Sequence, residues 1–276
     1  MDGELGDFLR SRRARIQPEE VGLPSHGRRR VPGLRREEVA QLAGVSVDYY
    51  IRLEQGRGPG GVSDAVLDAV ARVLRLDETE HAYLLTVARP HRKSTARPAG
   101  PRVRPGVQLL LDGMERTPAF VLGRRMDVLA WNALGDAVNG FSALAPAERN
   151  IPRQVFLDPA AADFYPDWAA VAAQTVANLR IDAGRHPDDP RMAALVGELS
   201  LKSADFRRLW ADHEVKECAY GTKRIQHPVA GLLTLPYETL TVPTDPDQTI
   251  VAYTPEPGSE TAERLALLGS WKATAV

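Results

Sequence analysis

The sequence predicts two domains of different class. A mainly α, five-helix domain covers residues 1–90, and an α+β domain with an antiparallel sheet covers 106–276. Three observations carry this. Five segments before residue 90 read as helices, most of them with apolar residues recurring at helical spacing. The run RPHRKSTARPAGPRVRP at 89–105 holds no acid and four prolines, so residues 91–105 read as a basic linker. Beyond it, strand patterns near 120–132 and from Ala219 onward bracket a helical middle, for which an antiparallel sheet is the simplest solution.

The elements follow in order. Glu4–Arg15 forms a short basic helix, and an irregular stretch carries Pro18, Gly22, Pro24 and Gly27. Helical segments follow at 36–43, 46–55 and 62–75, the last capped by Ser63, and another begins near Asp77 with Asp77 and Glu80 as a capping pair. In the second domain, FVLGRRMDVLAWN (120–132) reads as two strands around Gly123-Arg124-Arg125, then a helix from Asn132. Helices are expected at 163–184, 190–201, 203–211 and 260–269, with strands across AYGTKRIQHPVAGLLTLPYETLTV and TIVAYTP.

With 276 residues, 43% hydrophobic and 26% charged, the chain is of ordinary globular composition. The net charge of -1 hides an uneven distribution, because nine arginines face two acids between Phe8 and Arg36. Cys218 stands alone, which excludes an intrachain disulfide and a cysteine-rich metal site and suits a reducing cytoplasm. No window approaches ~18 uninterrupted apolar residues, so no membrane span is expected. A cytoplasmic, nucleoid-associated protein is the expectation.

The most specific signal is RREEVAQLAGVSVDYYIRLEQGRGPGG, where residues 36–55 have the pattern of a helix-turn-helix. Ala40 gives the small residue at the helix crossing, and Gly44 supplies the left-handed turn four residues later. Val39, Ala43, Val45, Tyr50 and Leu53 form the buried side, Ser46 caps the second helix, and Gly56 ends it. An ordinary pair of core helices also uses an Ala-x-x-x-Gly spacing, but not the whole set beside flanking basic runs. Such a motif places its second helix in the major groove of double-stranded DNA. There Val47, Asp48 and Arg52 reach base edges, with Ser46 and Tyr49 nearer the backbone. Arg36 at a helix start, the run Arg28, Arg29, Arg30, and Arg57 are expected on phosphates.

The motif LRREEVAQLAGVSVDYYIRLEQGR resembles the helix-turn-helix of the Xre/Cro repressor-like regulators. The insertion HGRRRVPGLRREEVA and the second-domain stretches MDVLAWNALGDAV, WADHEV and HPVAGLLTLPYETL extend the resemblance to the MmyB-like regulators of actinobacteria over nearly the whole chain. That resemblance implies a PAS-like second domain, a lipid-like or polyketide-like effector (one family member holds a fatty acid), a homodimer and a pseudo-palindromic operator.

Aromatics are dense between 131 and 210, which suits either an apolar pocket or simple core filling. Trp131, Phe156, Phe164, Trp168 and Trp210 are the pocket candidates, with Arg149, Arg153 and Arg180 as anchors for an acidic head group. Arg180, after the apolar helix VAAQTVANLR, reads first as a solvated helix end and only second as an anchor, and Asn132 equally as a helix cap or a ligand contact. No catalytic constellation, metal site or cofactor is expected. His213-Glu214-Val-Lys-Glu217 lacks the second histidine of a zinc-protease helix, and nothing requires His227 to reach Cys218. Two functions remain: a regulator whose second domain senses a small apolar or amphipathic ligand, and a constitutive DNA binder whose second domain only dimerises.

Overall fold

A computed structural model describes residues 4–24, 31–56, 62–88, 102–213 and 219–274. The chain divides into two compact units. The first comprises Met1–Thr95 together with Arg180–Asp189 and Trp210–Glu217, and the second holds the remainder.

Five helices build the first unit: α1 (Glu4–Arg15), α2 (Arg36–Ala43), α3 (Val47–Glu54), α4 (Asp64–Val73) and α5 (Glu78–Ala88). The expected caps are in place. Ser46 and Ser63 accept from the amides of Tyr49 and Val66, and Asp77 and Glu80 each accept from the other's backbone amide. Gly44 turns α2 into α3 at φ +69°, and Val45 donates back to the Ala40 carbonyl at 3.0 Å. Phe8, Leu9, Val39, Ala40, Tyr50, Leu53, Leu67, Val70 and Leu84 fill the core between these helices. Glycine is required where α1 meets α3, because a Cβ on Gly6 would lie 2.1 Å from the Glu54 carbonyl oxygen.

In the second unit, β1 (Ala119–Leu122), β2 (Val128–Trp131), β3 (Tyr220–His227), β4 (Gly231–Val242) and β5 (Asp245–Tyr253) form one antiparallel sheet in the order β2-β1-β5-β4-β3. Alternation along the strands gives the sheet two apolar faces. One carries Ala119, Val121, Ile250 and Ala252 and packs with Val107 and Leu111 of α6 (Pro105–Asp112). The other carries Phe120, Ile225, Leu233, Leu235, Tyr237, Val251 and Tyr253. Side chains from α7 (Ala133–Asn139), α8 (Ile151–Leu157), α9 (Ala161–Phe164) and α10 (Trp168–Arg185) cover that second face. Two further helices, α11 (Pro190–Lys202) and α12 (Ala204–Ala211), precede β3, and α13 (Glu260–Thr274) adds Leu265 and Leu268 to the same core.

Three elements depart from the sequence expectation. The helix expected at 163–184 is two helices, because Pro166 removes an amide and disfavours helical backbone at Tyr165. Helix α6 begins at Pro105, the last residue assigned to the linker, with proline in the first turn where its missing N–H costs nothing. Helix α8 was not expected, although Asn150 caps it and Pro152 lies in its first turn.

Asn132 ties three elements of the second unit together. Its Oδ1 accepts from Ala119 N at 3.0 Å and caps α7 through Gly135 N at 2.7 Å. Its Nδ2 donates to the carbonyls of Leu111, Met114 and Thr117 at 3.2, 2.9 and 2.7 Å. Asn132→Ala leaves this buried group of donors and acceptors unpaired, so a loss of about 2–4 kcal/mol is expected. Urea unfolding followed by far-UV circular dichroism measures it, and a loss below ~0.5 kcal/mol contradicts this role.

Candidate functional site

The candidate DNA-reading surface is one side of α3. Val47 is 40% exposed, Asp48 and Arg52 are exposed, and Tyr49 is half-buried. Ser46 is occupied as the cap, while Tyr50 and Leu53 on the opposite side are buried. The structure thus puts Val47 and Asp48 in the first turn of α3 and Arg52 in its last, all three exposed on a helix of the kind that enters a major groove. Arg28, Arg29, Arg30 and Arg57 lie outside the described residues.

Behind this surface is a group of charges that the sequence reading missed. The Glu54 side chain is fully buried at the end of α3. Arg13 of α1 donates Nε and Nη2 to its two carboxylate oxygens, each at 3.2 Å. Arg36 donates Nε and Nη2 to Oε1 at 3.0 and 2.9 Å, so much of its donor capacity faces inward. Arg13 also donates to the Leu34 carbonyl at 2.5 Å. The signal was available: Tyr50, Leu53 and Glu54 are spaced i, i+3, i+4, which puts a carboxylate on the buried stripe of α3.

Arg180 and Trp210 belong to this first unit. Arg180 is 1% exposed, lies 4.1 Å above the Trp210 ring and donates to the Trp210 carbonyl. Its Nη1 is 3.0 Å from His213 Nδ1, while Arg12 of α1 donates Nη2 to the His213 carbonyl at 2.7 Å. Gly184 permits close packing here, since a Cβ would lie 2.6 Å from the Tyr83 ring.

The other aromatic candidates converge in the second unit. Trp131, Phe156, Phe164 and Trp168 all pack, partly buried, against the apolar cluster on the sheet. Phe156 meets Trp168 and Phe206 edge-on at 6.0 and 5.2 Å, and Trp131 lies 5.6 Å from Phe141. Arg153 is engaged by Glu198 at 2.8 Å and by the Ala147 carbonyl, and Asn132 by the five contacts above. The structure therefore groups four aromatic candidates and directs Asn132, Arg153, Arg180 and Trp210 elsewhere.

A helix-turn-helix domain model matches residues 4–84. Residues 103–268 match the MmyB-like transcription regulator ligand binding domain, which is more than half of the chain. The chain belongs to the MmyB-like transcription regulators. No curated protein matches it. In this MmyB-like regulator, a DNA-binding module precedes a ligand-sensing one, and both families are non-enzymatic. Among the described residues, no cluster of His, Cys, Asp or Glu is suited to a metal ion, and no helix is long and apolar enough to cross a membrane.

His213 carries a pH dependence of known sign. Burial pushes its pKa down to about 4; Arg180, Arg12 and Arg10 act in the same direction, and Asp7 opposes them. The folded state thus holds His213 neutral while the unfolded chain titrates near 6.5. Its contribution to stability is full above about 6.5 and declines as pH falls towards about 4. His213 has φ +50°, a conformation asparagine tolerates. The stability gap between pH 7 and pH 4.5 is therefore expected to be smaller in His213→Asn than in the parent. Equal gaps by urea unfolding contradict the assignment.

Proposed function

We propose that this MmyB-like regulator binds a pseudo-palindromic operator as a homodimer and adjusts that binding to a small apolar or amphipathic, fatty-acid-like molecule in its second unit. The observation that carries the DNA half is the two-sidedness of α3. Its inner side is locked by Tyr50, Leu53 and buried Glu54, while Val47, Asp48 and Arg52 lead outward. Arg52 pairs with a guanine edge, Asp48 accepts from a cytosine amine, and Val47 meets a thymine methyl. Tyr49, Arg28, Arg29, Arg30, Arg57 and the exposed part of Arg36 contact the phosphate backbone. The effector half is supported by the aromatic grouping of Trp131, Phe156, Phe164 and Trp168 beside the apolar sheet face. The proposed location is the cytoplasm, on the nucleoid.

Arg52→Ala is expected to weaken operator binding by about 1–3 kcal/mol and to relax preference at one base position, as read by competition binding with single-base operator variants. Unchanged affinity and selectivity would place the reading helix elsewhere. For the effector half, a saturating medium-chain amphiphile at ~100 Kd is expected to stabilise the chain by about 2.7 kcal/mol in thermal unfolding. An unchanged transition with every amphiphile, in a protein that still dimerises, favours the constitutive reading.

A further inference from the structure

Helix α10 contributes to both units. Its residues 168–179 fall in the second and 180–185 in the first, and no proline or glycine from 168 to 183 bends it. No residue between 171 and 184 is exposed, which is the burial of a core helix rather than a surface one. Its two halves serve different cores. Val171 and Ala172 are buried in the cluster on the sheet, where Trp168 donates Nε1 to the Val155 carbonyl at 2.9 Å and meets Phe156 edge-on. Ile181 packs against the core of the helix-turn-helix unit, and Gly184 lies against Tyr83 of α5.

From Arg180 a run of polar contacts leads to the reading helix. Arg180 donates to the Trp210 carbonyl and lies 3.0 Å from His213 Nδ1, and the His213 carbonyl accepts from Arg12 at 2.7 Å. Arg13, the next residue of α1, holds the Glu54 carboxylate at the end of α3 through two donors at 3.2 Å. A rigid helix carries a displacement of one residue to its neighbour. Helix α1 also abuts the Glu54 backbone at Gly6, so a shift of Arg12 is felt at α3. The seat of Arg180 is costly to maintain. Burial lowers the Arg12 pKa to about 10; Glu80 opposes this, while Arg15 and the nearby Arg180 lower it further. His213 takes the left-handed backbone at φ +50°, which disfavours most side chains. An arrangement held at such cost lies close in free energy to its alternatives, so a modest bias shifts it.

We propose that α10 transmits the state of the second unit to the DNA reader, with Arg180 and Arg12 as the positioning residues that pass its displacement to α1 and so to α3. This deepens the ligand-sensing reading above and rests on it: the signal carried is the effector-dependent packing of residues 168–179.

A cycle of substitutions in the full chain tests the link without any effector. Operator affinity is read on a duplex that the parent selects from random-sequence DNA. Ala172→Leu overpacks a fully buried site on the second-unit half of α10, and Trp168→Phe removes the bond to the Val155 carbonyl, so each displaces that half in its own way. Arg180→Gln and Arg12→Gln interrupt the run of contacts while keeping a side chain that donates. At least one displacing substitution is expected to change operator affinity about three- to tenfold in the parent, and each interruption to reduce that response below about twofold. Circular dichroism and thermal unfolding identify any variant that fails to fold, and the other member of its pair then completes the cycle. If Arg180 and Arg12 are merely structural, their substitution lowers affinity by the same factor with and without the displacement. Such additivity overturns the proposal, and so does an operator affinity indifferent to both displacements. Decanoic acid separates this link from the sensing reading. A non-additive cycle in a protein whose operator binding and thermal unfolding ignore decanoic acid supports the link and counts against a fatty-acid-like effector. A response to decanoic acid that survives in both Arg180→Gln and Arg12→Gln retains the sensing role and overturns the link.

Discussion

The buried carboxylate of Glu54 is the constraint around which the DNA-reading unit is arranged. A carboxylate without solvent is tolerated only when several donors surround it, and here Arg13 and Arg36 provide four hydrogen-bonding contacts. Those arginines come from α1 and α2, so three helices are aligned by one charged group on the third. Arg13 reaches further, to the carbonyl of Leu34, and so fixes the approach to α2. Gly6 allows α1 to lie against the end of α3, which makes these distances attainable. Removing one partner from such a group costs more than the pair is worth, because the remaining charge stays buried. The aim of α3 is thereby set by electrostatics beneath it as well as by apolar packing.

That arrangement changes the meaning of the basic N-terminal charge. Nine arginines face two acids between Phe8 and Arg36, of which the sequence reading puts Arg28, Arg29, Arg30 and Arg36 on phosphates and gives the rest no role. Arg12 and Arg13 are instead 2% and 7% exposed and serve internal acids, with Arg12 Nε 2.8 Å from Glu80. Charge density along a sequence measures neither direction nor burial. A long arginine can face inward whenever the opposite helix offers a carboxylate.

Local signals were the legible ones. Caps at Ser46, Ser63 and the Asp77–Glu80 pair, the Gly44 turn and the Asn132 cap depend on residues within four positions of one another, and each was readable. The break at Pro166 and the cap at Asn150 were equally local, and a stricter reading of proline and asparagine recovers α8 and the split before α10. The strand alternation gave an antiparallel sheet, though not the pairing that sets Tyr237 opposite Tyr253. What no local pattern carries is membership. Arg180 follows an apolar helical run and Trp210 an aromatic-rich one, so both read as effector-site residues. Arg180 instead engages Trp210 and His213, whose carbonyl accepts from Arg12, and only the tertiary structure reveals that.

The composition of the first unit from three separate stretches has a consequence for how the protein is made. Arg12 waits for a carbonyl 201 residues later in the chain. Closing so long a loop is slow, because its entropy is lost before the contact repays it. At about 5–20 residues per second, a ribosome spends tens of seconds between these two residues. During that interval α1 to α5 have emerged while the segments around Arg180 and His213 do not yet exist. The nascent DNA reader is a different object from the finished one, and its completion is timed by synthesis of the domain that follows it.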